Sequence, residues 1–100
     1  MIYNNSKPKT SRQMERHFKG ISNHHRISIL LLVDSNGDLG VEDIAGRLDA
    51  NFKTISQHTR YLVQAGLLEK RYKGRMVVNS LSPYGKLFAQ FIKKFQTSNI

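Results

Sequence analysis

Val41-Glu42-Asp43-Ile44-Ala45-Gly46-Arg47-Leu48-Asp49-Ala50-Asn51-Phe52-Lys53-Thr54-Ile55-Ser56-Gln57-His58-Thr59-Arg60-Tyr61-Leu62 is the stretch on which the reading of this chain turns. Val41, Ile44, Ala45 and Leu48 stand at i, i+3, i+4 and i+7, one face of a two-turn amphipathic helix. Glu42 and Asp43 fall in its first turn, where the helix dipole favours anions. Asp49-Ala50-Asn51 interrupts the pattern, and Asn51 is a good N-cap for a second helix. Phe52 to Ala65 reads as that helix, with Phe52, Ile55, Thr59 and Leu62 on one side and Gly66 closing it. Two helices across so tight a break read as a helix-turn-helix.

Downstream the period changes. Leu67 to Lys73 and Met76 to Leu81 are extended runs joined at Lys73-Gly74-Arg75, with Leu68, Tyr72, Val77 and Val78 as strand formers. Ser82 caps a last helix that has Pro83 in its first turn. Tyr84, Leu87, Phe88, Phe91, Ile92 and Phe95 come next at i, i+3, i+4, i+7, i+8 and i+11. Upstream, Leu39 is a lone apolar residue that predicts a very short strand, and Ser35-Asn36-Gly37-Asp38 is a turn. His24 to about Asp34, capped by Asn23, predicts a helix apolar on most sides and therefore buried at the centre. Thr10 or Ser11 caps a short helix running to Lys19 and ended by Gly20, with Met14 and Phe18 as an i,i+4 pair. Residues 1–9, polar and containing Pro8, read as a flexible N-terminal arm. The expected class is α+β, mostly helical: a winged helix-turn-helix over residues 10–96, with about five helices and a β-hairpin wing.

The composition limits what such a fold does. The chain has 100 residues, 16 Lys and Arg against 7 Asp and Glu, a net charge of +9 and no cysteine. One domain of this size buries enough apolar surface to fold without staples. No disulfide, thiolate metal site or cysteine nucleophile is possible. The longest apolar run, Ile27 to Val33, is far short of the ~20 residues needed to span a bilayer. The N-terminus lacks a signal-peptide core, so the expected location is the cytoplasm. The charge is also segregated. Residues 27–50 carry five acids against Arg47, whereas the flanking segments are basic. This pattern points to a fold that presents particular basic elements to a polyanion. No nucleophile elbow, paired catalytic carboxylates or phosphate-cradling glycine loop is present, so no enzyme and no cofactor are expected.

On the helix from Phe52, the residues Lys53, Thr54, Gln57 and Arg60 project away from the apolar side, with Ser56 at its margin. Arg and Lys can bond guanine, Gln can bond adenine, and Thr and Ser reach bases or phosphates. Arg71, Lys73 and Arg75 on the hairpin suit backbone or minor-groove contact. The expected function is sequence-specific binding of double-stranded DNA. The alternatives are a solvated basic face on a winged-helix protein–protein module, or an RNA reader; the latter usually exposes stacking aromatics, here only Tyr72 and Tyr61.

The segments Arg26-Ile27-Ser28-Ile29-Leu30, Leu39-Gly40-Val41-Glu42-Asp43-Ile44-Ala45, Thr54-Ile55-Ser56-Gln57-His58 and Leu62-Val63-Gln64-Ala65-Gly66-Leu67-Leu68, with the hairpin Arg71 to Val77, resemble the ArsR/SmtB group of winged-helix transcriptional regulators. The resemblance covers roughly residues 11–95. It implies a homodimer with the first and last helices at the interface, two recognition helices in successive major grooves, and repression relieved by a signal. Thr59 departs from it, standing where leucine is usual. Metal-sensing members carry a cysteine segment matching Gly40-Val41-Glu42, or His and acidic ligands on the last helix. This chain has neither, and after Ser80 it has no His, Asp or Glu. No metal sensing by those routes is expected.

His24 and His25 are adjacent at a helix start, about 100° apart, which is poor geometry for one metal. With His17 they could form a site on folding, against the plainer reading of surface or half-buried histidines. His58 could touch phosphate or pack under the wing. The stripe from Tyr84 to Phe95 fits core, a dimer interface or an amphipathic membrane helix. The dimer reading is preferred, because the second helix already fills the core, and it places Met14, Phe18, Leu87, Phe88, Phe91 and Phe95 across the interface.

Overall fold

Capping chemistry sets the element boundaries. The computed structural model describes residues 7–100, so most of the arm read over residues 1–9 lies outside the described residues. Helix α1, Ser11–Ile21, opens with a capping box in which Gln13 N–H donates to Thr10 Oγ1 at 3.1 Å and Thr10 N–H donates to Gln13 Oε1 at 2.9 Å. Helix α2, His24–Asn36, opens under the Asn23 side chain, which accepts from His25 and Arg26 N–H. Helices α3, Val41–Arg47, and α4, Phe52–Gln64, are separated by Leu48 to Asn51. Asn51 Oδ1 accepts from Thr54 N–H at 3.1 Å. Within that turn Asp49 has φ 51°, a left-handed conformation that Asp tolerates better than most residues. Strands β1, Leu68–Lys73, and β2, Met76–Leu81, pair antiparallel from Leu68↔Leu81 to Lys73↔Met76 across Gly74. Helix α5, Pro83–Gln96, starts with Gly85 N–H on Ser82 Oγ.

Two boundaries shift from the expectation. Helix α1 continues through Gly20 to Ile21. Gly20 is needed for a close approach rather than a stop, because a Cβ there would overlap the Ala65 Cβ. Helix α2 runs on to Asn36 and ends at Gly37, φ 81°. The short strand expected at Leu39 is an isolated bridge to Asn79, paired in both directions at 3.1 and 2.8 Å.

Helix α2 packs against every other helix and β2. Its wholly buried face is narrower than its composition suggested: Ile29, Leu30 and Val33 are inside, while Ile27, Leu31 and Leu32 are half-buried. Around them close Ile44 of α3, Ile55 and Leu62 of α4, Leu67 and Leu68 at the wing base, and Ala89 of α5. Each fully buried Ile or Leu contributes about 1.5–3 kcal/mol relative to exposure. Thr59 is the exception on this surface. It is buried, and its hydroxyl has no hydrogen-bond partner, so the site carries a polar cost that leucine would not.

Gly85 lies so close to the Leu67 carbonyl that a Cβ would overlap backbone oxygen. Gly85→Ala is expected to lower the free energy of unfolding by about 2 kcal/mol or more through overpacking. Gly46→Ala, on a helix position with nothing within 4 Å, is expected to raise it by about 0.5–1 kcal/mol. Urea unfolding of both variants checks the contrast; equal effects would disprove the Gly85 contact.

Candidate nucleic-acid interface

Helix α4 divides by face. Ile55, Thr59 and Leu62 point into the core, while Lys53, Gln57, Arg60, Tyr61 and Gln64 are exposed. Thr54 and Ser56 are half-buried at the two margins. The exposed face carries no acid. Gln57 Nε2 donates to Tyr61 Oη at 3.1 Å, so the two side chains are held one turn apart. Tyr61 belongs to this face although it was not among the expected contacts. The spacing Lys53, Gln57, Tyr61, i, i+4 and i+8, is the signal that could have found it.

Phe52 does not share the buried side assigned to it. It is 53% exposed. As the first residue of α4 it overhangs the domain edge, beside Met76 and Val77 at a cleft of about 370 Å³ between α3 and the wing.

The wing presents its cations unequally. Lys73 and Arg75 flank Gly74 at the tip and are exposed. Arg71, nearer the base, donates to Asp38 at 2.6 Å and ties the wing to the α2–α3 turn. Its other N–H groups are what it can offer elsewhere. Tyr72, on the opposite side of the strand, is 82% exposed.

Behind α4 lies a cluster at the start of α2. His25 stacks on His58 with centroids 5.1 Å apart, and His24 lies against His25 at 4.1 Å. Arg26 Nη1 lies 3.2 Å from His58 Nδ1 and its guanidinium 5.3 Å from the Tyr61 ring centroid. A guanidinium only donates, so His58 Nδ1 is the acceptor and His58 carries no proton there. His58 packs against His25 and Arg26 rather than under the wing. His17 is elsewhere: it is buried, its Nδ1 donates to the Ala65 carbonyl at 2.7 Å, and its ring lies 4.9 Å from Tyr84. The grouping of His17 with His24 and His25 therefore does not form. Among the described residues, no three His, Asp or Glu side chains come together as a metal site.

The remaining expected residues lie on α1 and α5. The stripe on α5 splits: Ala89 enters the core, Leu87, Phe88 and Ile92 are half-buried, and Phe91 and Phe95 are 61% and 67% exposed. From α1, Phe18 is 57% exposed and meets Phe88 edge-on at 5.2 Å, and Met14 is also exposed. Phe18, Leu87, Phe88 and Phe91 border an apolar cleft of about 230 Å³. No helix among the described residues is long and apolar enough to cross a membrane.

No family model matches the chain. Over 67 residues it is 37% identical to the arsenical resistance operon repressor of Escherichia coli (strain K12), an alignment covering 67% of this chain and 57% of that protein. HlyU from Vibrio cholerae N16961 superposes with a TM-score of 0.79 at 25% identity, covering 92% of this chain and 100% of that one. The chain is ArsR/SmtB-like. The homodimeric winged helix-turn-helix DNA-binding domain of Mb0332 from Mycobacterium bovis, a possible ArsR-family regulator, shares the fold with a TM-score of 0.74 at 24% identity, covering 90% of this chain and 89% of that one. The chain spans about half the length of the curated relatives it matches. In this ArsR/SmtB-like chain Gly40-Val41-Glu42 lines the cleft beside the wing and has no thiolate.

Burial lowers the His58 pKa below its ordinary 6.5, and the charges of Arg26, His25 and His24 lower it further. Between that lowered value and 6.5 the unfolded chain binds more protons at this position than the folded one. The stabilisation from neutral His58 is therefore complete above pH 6.5 and is lost as the pH falls through the window below it. His58→Gln keeps an acceptor for Arg26 and cannot titrate. It is expected to flatten the dependence of the urea midpoint on pH between about 7.5 and about 5.5. An unchanged slope would place the dependence on other groups.

Proposed function

We propose that this chain is a sequence-specific, double-stranded-DNA-binding transcriptional regulator that represses, working as a homodimer on a palindromic operator. The observation that carries this reading is the exposed, acid-free face of α4, whose opposite face is locked into the core. A helix so held can enter a major groove with little reorganisation. Lys53 and Arg60 offer donors to guanine O6 and N7, Gln57 a bidentate pair to adenine, and Thr54 and Ser56 hydroxyls to the groove edge. Lys73 and Arg75, with the free N–H groups of Arg71, bond backbone or minor groove from the wing. The Escherichia coli relative is named as a repressor, which supports the sign of the regulation.

The dimer reading rests on the aromatic ridge of Phe18, Phe88, Phe91 and Phe95 with Met14 and Leu87. A second copy of the same ridge is the occupant we assign to it. The ridge is self-complementary in chemistry, since it is apolar throughout, as an isologous twofold interface requires. The description of Mb0332 as homodimeric supports self-association.

Selection of bound sequences from a random duplex pool tests the reading; winners are expected to be palindromic, and absence of binding at low salt would refute it. In detail, Gln57→Ala is expected to relax sequence preference. Lys73→Ala should weaken specific and random duplexes alike and reduce the salt slope by about one. Equal losses on both duplexes for both variants would contradict this division. Phe91→Glu, at an exposed position, is expected to leave the fold intact, yield a monomer in sedimentation and lower palindrome affinity at least about tenfold, as dimeric avidity is lost. A dimer persisting in that variant would move the interface elsewhere.

A further inference from the structure

Six cations within the first twenty-six residues take no part in the proposed interface of α4 and the wing: Lys7, Lys9, Arg12, Arg16, Lys19 and Arg26. The fold gathers three of them. Arg16, Lys19 and Arg26 line an open cleft of about 430 Å³, bordered on its other side by Tyr61 and Gln64 of α4. Residues from α1, the first turn of α2 and the second half of α4 thus converge on one site, although α1 and α4 are far apart in the chain.

Two of the cations are fixed in place. Arg16 donates from Nε and Nη2 to the Gln64 carbonyl at 3.0 and 2.6 Å, which leaves Nη1 unassigned. Arg26 is held between His58 and the Tyr61 ring, and its buried Nε has no hydrogen-bond partner. That buried Nε is out of reach of a ligand, and what Arg26 brings to the cleft is the charge of its fixed guanidinium. The third cation, Lys19, pairs with Glu15 at 2.7 Å, but both are well exposed and such a pair is worth little in water. Lys19 can therefore exchange Glu15 for a stronger anion at small cost. Pre-positioned guanidiniums with spare donors suit a phosphate, whose oxygens accept in several directions.

The cleft also lies next to the proposed groove-reading face. Tyr61, which borders it, is hydrogen-bonded to Gln57 one turn earlier on the same exposed side. A duplex whose bases meet Gln57 carries its backbone past Tyr61, because four helical residues advance only ~6 Å, about the spacing between neighbouring phosphates. We infer that Arg16, Lys19 and Arg26 form a phosphodiester-binding cleft that clamps the DNA backbone beside the groove entered by α4. This inference rests on the DNA-binding function proposed for α4 and adds a contact surface outside the recognition helix and wing.

The test is fluorescence anisotropy with the selected palindrome and a random duplex, over a series of salt concentrations. Lys19→Gln changes an exposed side chain and preserves the fold. It is expected to weaken both duplexes equally, by about three- to tenfold, and to reduce the salt slope by about one for each cleft contacting phosphate. Glu15→Gln frees Lys19 and is expected to tighten both duplexes, with much less gain when Lys19→Gln is also present. Arg26→Gln should weaken both duplexes further; its thermal midpoint is measured alongside, and Lys19→Gln carries the decision if Arg26→Gln unfolds. Wild-type protein that binds no duplex at low salt removes the DNA reading and the cleft with it. Wild-type binding with unchanged affinity and slope in Lys19→Gln removes the cleft alone. Inorganic phosphate that shifts the Gly20 and Ala65 amide resonances, while Lys19→Gln binds duplexes as wild type does, overturns the assignment to DNA and makes the cleft a small-anion pocket.

Discussion

Four consecutive carbonyls, Gln64 at the end of α4 and Ala65 to Leu67 just beyond it, tie both terminal helices to α4. A helix leaves its last carbonyls without intrahelical partners, and an unpaired buried polar group costs about 1–3 kcal/mol. Here each carbonyl from Gln64 to Leu67 is met from outside α4. Arg16 donates to Gln64 and His17 to Ala65, both from α1. Ser82 donates its hydroxyl to Gly66 at 2.6 Å and its N–H to Leu67 at 3.1 Å, from the cap of α5. Two glycines make the approach possible, Gly20 against Ala65 and Gly85 against Leu67. The terminal helices therefore do not merely lie against the domain. They are bonded to the C-terminal end of the helix whose other face is proposed to read DNA.

That connection has a mechanical consequence. The aromatic ridge belongs to α1 and α5, and the face proposed to read the groove belongs to α4. Because one corner bonds all three, the ridge and the face keep a fixed relation within each protomer. Joining two ridges would then fix the separation of two α4 helices, the quantity that half-site spacing requires. A change at the ridge could reach the DNA face through the same corner without passing through the core.

The sequence showed the elements and hid the corner. Caps and periods are local, and Thr10, Asn23, Asn51 and Ser82 all cap the helices read for them. The wing turn at Gly74 and the buried Ile55 and Leu62 were equally legible. What could not be read depends on residues far apart in the chain. His17 reads as a loose metal candidate and Arg16 draws no reading at all, because nothing near them reveals that two carbonyls 48 positions away need donors. Arg71 looked like a free wing cation until the α2–α3 turn brought Asp38 to it. Phe52 matched the buried period of α4 but sits at its first residue, where a helix can run past the edge of the core it packs on. Thr59 was flagged as an oddity, and its unpartnered hydroxyl gives the oddity a physical form. The outward face of α4 was legible in part: the period placed Lys53, Gln57 and Arg60 outward, while Tyr61 was passed over as one of two exposed aromatics.

The acidic segment between the basic ones also acquires a reason. Asp34 pairs with Lys93 and ties α5 to α2, and Asp38 pairs with Arg71 and ties the wing base to the same helix's end. Glu42 and Asp43 complement the dipole at the start of α3. Asp34 and Asp38 thus act as struts between elements, and the outward face of α4 and the wing tip carry no acid. The two kinds of interaction respond differently to salt. Attraction between exposed charges and DNA is screened beyond about 10 Å at 0.1 M. In the carbonyl corner the bonds from His17 and Ser82 are buried or half-buried and little screened, whereas that from Arg16 is exposed. Raising salt should therefore release a bound duplex while the orientation of α4, wing and ridge persists, so that association is governed by charge and specificity by a geometry that charge does not set.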